Sequence, residues 1–198
     1  DYAAQQNCKL VVAHYRRAQP MFIKVKQLLD DNAIGEILSV KLEYLRKPLS
    51  IAEMADPKMA WRINPGQSGG GLFHDLAPHQ LGLMLYFFGD IQAASGVSNN
   101  KAGLYEADDT VKGNILFKNG VQFSGNWCFS VAEELETDYC EIMGSLGSIG
   151  FSVFNNKEIE MNFAGKQSVL DFDVLKHVQQ PMIKKVVQYF LGREKNPC

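Results

Sequence analysis

A chain of 198 residues, 46% of them hydrophobic, can bury a sizeable core as one large domain or as one domain plus a fragment of another. Its 20 basic and 22 acidic residues are interspersed, and a net charge of -2 excludes a basic footprint for nucleic acid. No stretch reaches the roughly 18 consecutive apolar residues of a membrane span, and Cys8, Cys128, Cys140 and Cys198 form no C-x-x-C pair that would indicate a zinc site or a disulfide framework.

The cysteines read as reduced thiols, so the cytoplasm is the expected compartment. The sequence starts at Asp1 without a methionine, and it is expected to be a piece of a longer chain. Residues 9–15, KLVVAHY, form a continuous apolar run that predicts a strand buried on both faces of a parallel sheet, with its partners upstream. Pro20 stands at a first helical position, and Phe22, Val25, Leu28 and Leu29 recur at helical spacing until Asn32 and Gly35. A helix of about three turns is expected there. Residues 36–46, EILSVKLEYLR, alternate with a period of two and predict a strand with one covered face. From Lys47 to Ser68 the periodicity is lost and Pro48, Pro57 and Pro65 intervene, so a long irregular segment is expected, ordered and functional around AWRINPG.

A helical run over 76–88 precedes strands at 91–98, VKGNILF and VQFSGNWCF, the last two joined by a turn at Lys118-Asn119-Gly120. DYCEIMG, GSIGFSVF, EIEMNF and SVLDF follow at short spacing, which predicts antiparallel meanders. GSLGSIG, residues 144–150, reads as turns between strands and not as a dinucleotide fingerprint. In the last segment, QQPMIKKVVQYFLG, a helix places Met182, Ile183, Val186, Val187 and Phe190 on one face, with Gly192 beyond its end. The expected fold is α+β: one large, mostly antiparallel β-sheet with helices packed on one face. Its other face would meet a twin subunit, with ILF, VQF and WCF as candidate contacts.

The chemistry concentrates in SGGGLFHDLAPHQLGLMLYFFGD, residues 68–90. Pro78 is free of cost only among the first helical positions, which predicts a helix starting no earlier than Asp75 as its N-cap. Asp75 and His79, four apart, would then share a face near the amino end, where Gly69–Gly71 let another group approach the backbone. A carboxylate that orients an imidazole suits proton transfer near neutral pH. Asp75 as a simple cap, His79 as a core histidine and the glycines as a tight turn remain equally open on these residues alone. His74 and His79 diverge by roughly 140° around a helix, so no metal site is predicted. SGGG also lacks the lysine and spacing of a phosphate-binding P-loop.

The order AHYRRAQP, then a helix ending DDNAIGEI, then WRINPGQSGGGLFHDLAPHQLGLMLYFFGD resembles the Gfo/Idh/MocA oxidoreductases, and the likeness continues to HVQQPMIKKVVQYFLGREKNP. This resemblance implies a two-domain enzyme: a dinucleotide-binding Rossmann domain, then an α+β domain that supplies substrate and subunit contacts. Residues 1–15 would be the tail of the first domain, carrying its last strand, and 16–198 the second, with the final helix packing back toward the first. It implies NAD or NADP as cofactor, a sugar or polyol as substrate, and a homo-oligomer, dimer or tetramer, formed through the β-sheet face.

By the same resemblance Asp75 and His79 are the catalytic pair. Arg16, Trp61 and Arg62 fall beside the cofactor, and Tyr15, Arg17, Gly70 and Gly71 join Asp75 and His79 around the substrate. Trp61 reads equally as a loop anchor, and Arg16 and Arg17 as surface charge. Two family features are missing, the G-x-G-x-x-G loop and the Glu-Lys-Pro segment with its catalytic lysine; EKNP at 194–197 is a different place and pattern. The chain by itself is therefore expected to be inert. The implied activity of the whole protein is hydride transfer between a nicotinamide and a sugar or polyol hydroxyl. An NAD-dependent glycosidase-type relative and a non-catalytic oligomerisation or sugar-binding module are the alternatives.

Overall fold

The computed structural model describes residues 2–12, 14–155 and 157–197. Helix α1 (Tyr2–Gln5) is followed by a 3-10 turn at Tyr15–Ala18, helix α2 (Pro20–Asp30) and strand β1 (Ile37–Leu45). Short helices α3 (Ile51–Ala55), α4 (Pro57–Ala60) and α5 (Pro65–Ser68), with a 3-10 turn at Trp61–Ile63, lead into α6 (Leu72–Phe88). Then come β2 (Ile91–Asn99), β3 (Thr110–Phe117), β4 (Gln122–Cys128), β5 (Thr137–Gly144), β6 (Gly147–Phe151), β7 (Glu158–Phe163), β8 (Lys166–Asp171) and helix α7 (Gln180–Phe190). Among the described residues no helix is long and apolar enough to cross a membrane.

The strands form one eight-stranded sheet in the order β2-β3-β4-β1-β5-β6-β7-β8. β1 runs parallel to β4, with Val40 opposite Phe123, and antiparallel to β5, with Leu42 opposite Cys140. The other neighbouring strands are antiparallel. Period-two alternation buries Val40, Leu42 and Tyr44 beneath the helices and leaves Lys41 and Glu43 exposed on the opposite face. Helix α2 meets that core with Met21, Phe22, Val25 and Leu28, and α6 with Leu83, Met84, Phe87 and Phe88. The two helices share one aromatic contact region, where Phe22 and Phe87 both pack edge-on against Phe151.

Trp127 fixes α6 to the sheet. Gly125 faces its indole, and a Cβ there would overlap the ring; Gly96, Gly113 and Gly125 stand in register across β2, β3 and β4. The indole packs edge-on against Phe73, with centroids 5.1 Å apart, and its Nε1–H donates to Gln80 Oε1 at 2.6 Å. Phe73 and Gln80 bracket Asp75 and His79 in sequence, so this anchor sets where those two side chains stand. At the far end of β5, a Cβ on Gly144 would overlap the Ile34 carbonyl oxygen. Gly144→Ala should therefore cost about 1–3 kcal/mol, seen as a lower urea midpoint with an unchanged slope.

Four local expectations differ from the structure. Residues 8–12 and 14 form no strand, and Ala13, also in the predicted strand, lies outside the described residues. No ladder pairs this stretch: the Leu10 carbonyl accepts from Asn196 Nδ2, and Lys9 Nζ caps the Tyr189 and Phe190 carbonyls at the end of α7. The segment 47–68, expected to be irregular, holds three short helices. Ser50 and Glu53 form a reciprocal capping box on α3, and Pro57 and Pro65 occupy the first helical positions of α4 and α5.

Helix α6 begins at Leu72 with Gly71 as N-cap, four residues before the expected N-cap Asp75, so Asp75 lies in the first turn and Pro78 inside the helix. An interior proline costs about 3 kcal/mol. Burial of Leu72 and Ala77 and the packing of Phe73 on Trp127 oppose that cost. Finally, Phe117, Phe123, Trp127 and Phe129 of ILF, VQF and WCF are buried in the helix-side core, which removes them as subunit contacts. Gln122 and Ser124, on the other face of β4, are polar and exposed.

Candidate active site

Asp75 and His79 stand one turn apart on one face of α6, and His79 meets the 3-10 turn at Tyr15–Ala18. The Tyr15 ring stands edge-on to the imidazole with centroids 5.2 Å apart, and Phe154, just past β6, approaches perpendicular at 6.1 Å. His79 is half-buried between these two rings. Arg62 Nε lies 3.1 Å from Asp75 Oδ2, but its N–H does not point along that line, so the contact is an ion pair without an aligned hydrogen bond. The Arg62 guanidinium also stacks on Trp61, 5.3 Å from the ring centroid, and Trp61 is 41% exposed.

Burial pushes the His79 imidazole below its ordinary value of 6.5, the Arg16 cation and His14 push the same way, and Asp75 opposes them. His14 is lowered too, by burial and then by Arg17. Both rings are thus held neutral near pH 7 and can accept a proton. Below the ordinary value of 6.5 the unfolded chain binds more protons at these positions than the folded one. Stability from this source is complete above that pH and declines as the pH falls below it. Urea unfolding between about pH 7.5 and about pH 5 should show that decline, and His79→Gln should make it shallower.

The other predicted residues take distinct places. Arg16 is only 7% exposed; its Nη1 donates to the Val153 carbonyl at 2.6 Å, and its guanidinium lies over the Phe154 and Tyr15 rings. Arg17 Nε donates to the Gly82 carbonyl at 3.2 Å, and the absent side chain of Gly82 makes room for the His14 ring. Gly70 and Gly71 lie at the start of α6, but the chain itself fills the space they free: a Cβ on Gly70 would enter the His74 ring, and one on Gly71 would meet Ala107. His74 lines a separate cleft of about 720 Å³ with Phe73, Gly96, Gly113 and Trp127. Among the described residues no three His, Cys, Asp or Glu side chains converge as a metal site. Phe154, Asp138 and His14 escaped the sequence reading, because the first two reach the site only through closure of the sheet.

A family model described as the GFO/IDH/MocA C-terminal domain matches residues 22–150. Oxidoreductase P35 of Formosa agariphila is 42% identical over 194 residues, which covers 98% of this chain and 59% of that protein. Levoglucosan dehydrogenase of Pseudarthrobacter phenanthrenivorans is 25% identical over 193 residues, 85% of this chain and 48% of that protein. A solved levoglucosan dehydrogenase in complex with NADH and L-sorbose superposes with a TM-score of 0.71 at 23% identity, over 92% of this chain and 57% of that one. Aldose-aldose oxidoreductase from Caulobacter crescentus, complexed with glycerol, superposes with a TM-score of 0.78 at 20% identity, over 96% of this chain and 56% of that one. The chain spans about half to three-fifths of the length of these relatives. Matched by the family model over most of its length and by a close relative over nearly all of it, this chain belongs to the GFO/IDH/MocA family of oxidoreductases.

Proposed function

We propose that the protein containing this chain is an NAD- or NADP-dependent dehydrogenase that moves a hydride between a sugar or polyol hydroxyl and the nicotinamide. The observation that carries this reading is the Asp75–His79 pair: a carboxylate ion-paired to Arg62, and an imidazole held neutral between two aromatic rings. A neutral imidazole takes the hydroxyl proton as the carbon–hydrogen bond breaks, which avoids a protonated carbonyl, and returns it in the reverse direction. Asp75 stabilises the imidazolium so formed and, fixed by Arg62, holds its own carboxylate toward the substrate. Tyr15 and Phe154 keep water from one side of the ring, and Arg17 adds positive charge beside the substrate.

Trp61 and Arg62 fit a nicotinamide dinucleotide, because an exposed indole with a stacked guanidinium offers a flat apolar surface and a phosphate partner. Arg16, enclosed beneath Tyr15, acts on the same region through its charge. When bound, the cofactor supplies the hydride acceptor. Residues 1–15 belong in this reading to the preceding dinucleotide-binding domain, and the exposed Ile183, Val187 and Phe190 of α7 turn toward it. The chain by itself is inert. The exposed sheet face carrying Lys41, Glu43, Gln122 and Ser124 meets a second subunit in the homo-oligomer, and the cytoplasm is the compartment, with Cys8, Cys128 and Cys140 as free thiols.

The test is to incubate the full-length protein with NAD+ or NADP+ and a panel of sugars and polyols. Stoichiometric accumulation of reduced nicotinamide is the expected result. Cleavage of glycosides with no net cofactor reduction would overturn it in favour of a glycosidase-type reaction.

A further inference from the structure

The turn at 153–155 is held from two sides. On one side the Asp138 carboxylate, from β5, accepts three consecutive backbone N–H groups: Val153 at 3.1 Å, Phe154 at 2.7 Å and Asn155 at 3.2 Å. On the other, Arg16 donates to the Val153 carbonyl and stacks 4.5 Å from the centroid of Phe154. The turn therefore links a carboxylate and a buried guanidinium that are more than a hundred residues apart in sequence. Phe154 also packs against Tyr44, centroids 5.0 Å apart, and stands perpendicular to the His79 ring.

A buried cation is costly unless it is paired, and Arg16 is poorly paired. Its Nε has no hydrogen-bond partner, and Asp138, the carboxylate that acts on its charge, is occupied by the turn. The fold retains this arginine where its charge reaches the same rings that enclose the candidate base. We propose that Arg16, locked by the Asp138-anchored turn, is a positioning residue for His79: it fixes Tyr15 and Phe154 as the walls of the imidazole and opposes a second positive charge there. This inference deepens the dehydrogenase reading and rests on it.

The charged and titratable groups around His79 come from each neighbouring element. Arg16 and Tyr15 come from the 3-10 turn, His14 from the residue before it, and Asp75 from α6 itself with Arg62 behind. Phe154 contributes no charge from the 153–155 turn, behind which stands Asp138. Among the described residues Asp75 is the group that favours the imidazolium, so removing Arg16 leaves the carboxylate with a weaker opponent. The direction of His79 titration, displaced downward by burial and then by Arg16, agrees with this balance.

The experiment uses the full-length protein with isotope-labelled histidine, the His79 resonance being identified by its loss in His79→Gln. Arg16→Gln keeps a donor for the Val153 carbonyl and removes the charge; Arg16→Lys keeps the charge and loses the planar stack. The expected result is that His79 titrates at higher pH in Arg16→Gln than in the wild type, while Arg16→Lys stays near the wild type. The acid limb of kcat/KM for alcohol oxidation should move with it, a loss of about three- to fivefold at about pH 6 that disappears at higher pH. A purely structural arginine would instead lower the rate by one factor at every pH.

Unchanged His79 titration in Arg16→Gln overturns the proposal. If that variant does not fold, titration of His79 at its ordinary value in Arg16→Lys overturns it equally, because the charge is still present. Wild-type turnover by His79→Ala refutes the dehydrogenase role of that ring, and the ring titration still decides separately whether Arg16 acts on it.

Discussion

In the full-length protein, His79→Ala is expected to lower kcat for oxidation of the alcohol substrate by about 10²- to 10⁴-fold, with a much smaller change in KM. The size follows from what the ring contributes. Without it, the hydroxyl proton must leave to water, because the Asp75 carboxylate is already engaged by Arg62. Asp75→Asn should cost less, about tenfold, since it removes stabilisation of the imidazolium but leaves the imidazole in place. Steady-state reduction of the nicotinamide by the two variants checks both values. Similar KM values for variants and wild type would locate the loss in the chemical step.

Trp127→Ala should destabilise the fold by about 3–5 kcal/mol. The indole is 1% exposed, packs against Phe73 and Phe123, and lies over Gly125, where a Cβ would overlap the ring. Its loss also leaves the fully buried Gln80, whose Nε2 already lacks a partner, with no donor for Oε1. Trp127→Phe, which retains most of the volume and loses only the N–H donor and one ring, should cost about 1–3 kcal/mol. Urea unfolding of the variants measures both. Because Trp127 holds the segment of α6 that carries Asp75 and His79, activity should fall with stability in the alanine variant even where the protein remains folded.

The strands were legible because each is short and several are set apart by turns rich in glycine or asparagine. Gly120, for example, takes a positive φ of 88° in the turn between β3 and β4. The pairing of β1 with β4 was not, because a parallel contact between distant strands leaves no local signature. Asp75 and His79 were visible as a pair because four residues of one helix separate them, and that spacing survives the earlier start of α6. Phe154 and Asp138 were invisible for the opposite reason: Phe154 meets His79, and Asp138 holds the turn that carries Phe154, only once β5 and β6 have paired.

Proline has more than one meaning in this sequence: Pro57 and Pro65 begin short helices, whereas Pro78 lies inside α6. The Ser50-x-x-Glu53 capping box was a legible signal for α3 that proline content obscured. KLVVAHY is a different case. The apolar run reports a preference for burial, the strand it predicts needs upstream partners, and its described residues form no strand in this chain.

The central claim is that His79 moves the proton during hydride transfer. Its most direct test is the first turnover of nicotinamide reduction by full-length His79→Gly at saturating substrate, with increasing concentrations of imidazole. The account predicts a first turnover at least about 10²-fold slower than that of the wild type, accelerated in proportion to the neutral imidazole supplied. A first turnover at the wild-type rate, with no response to imidazole, would contradict it.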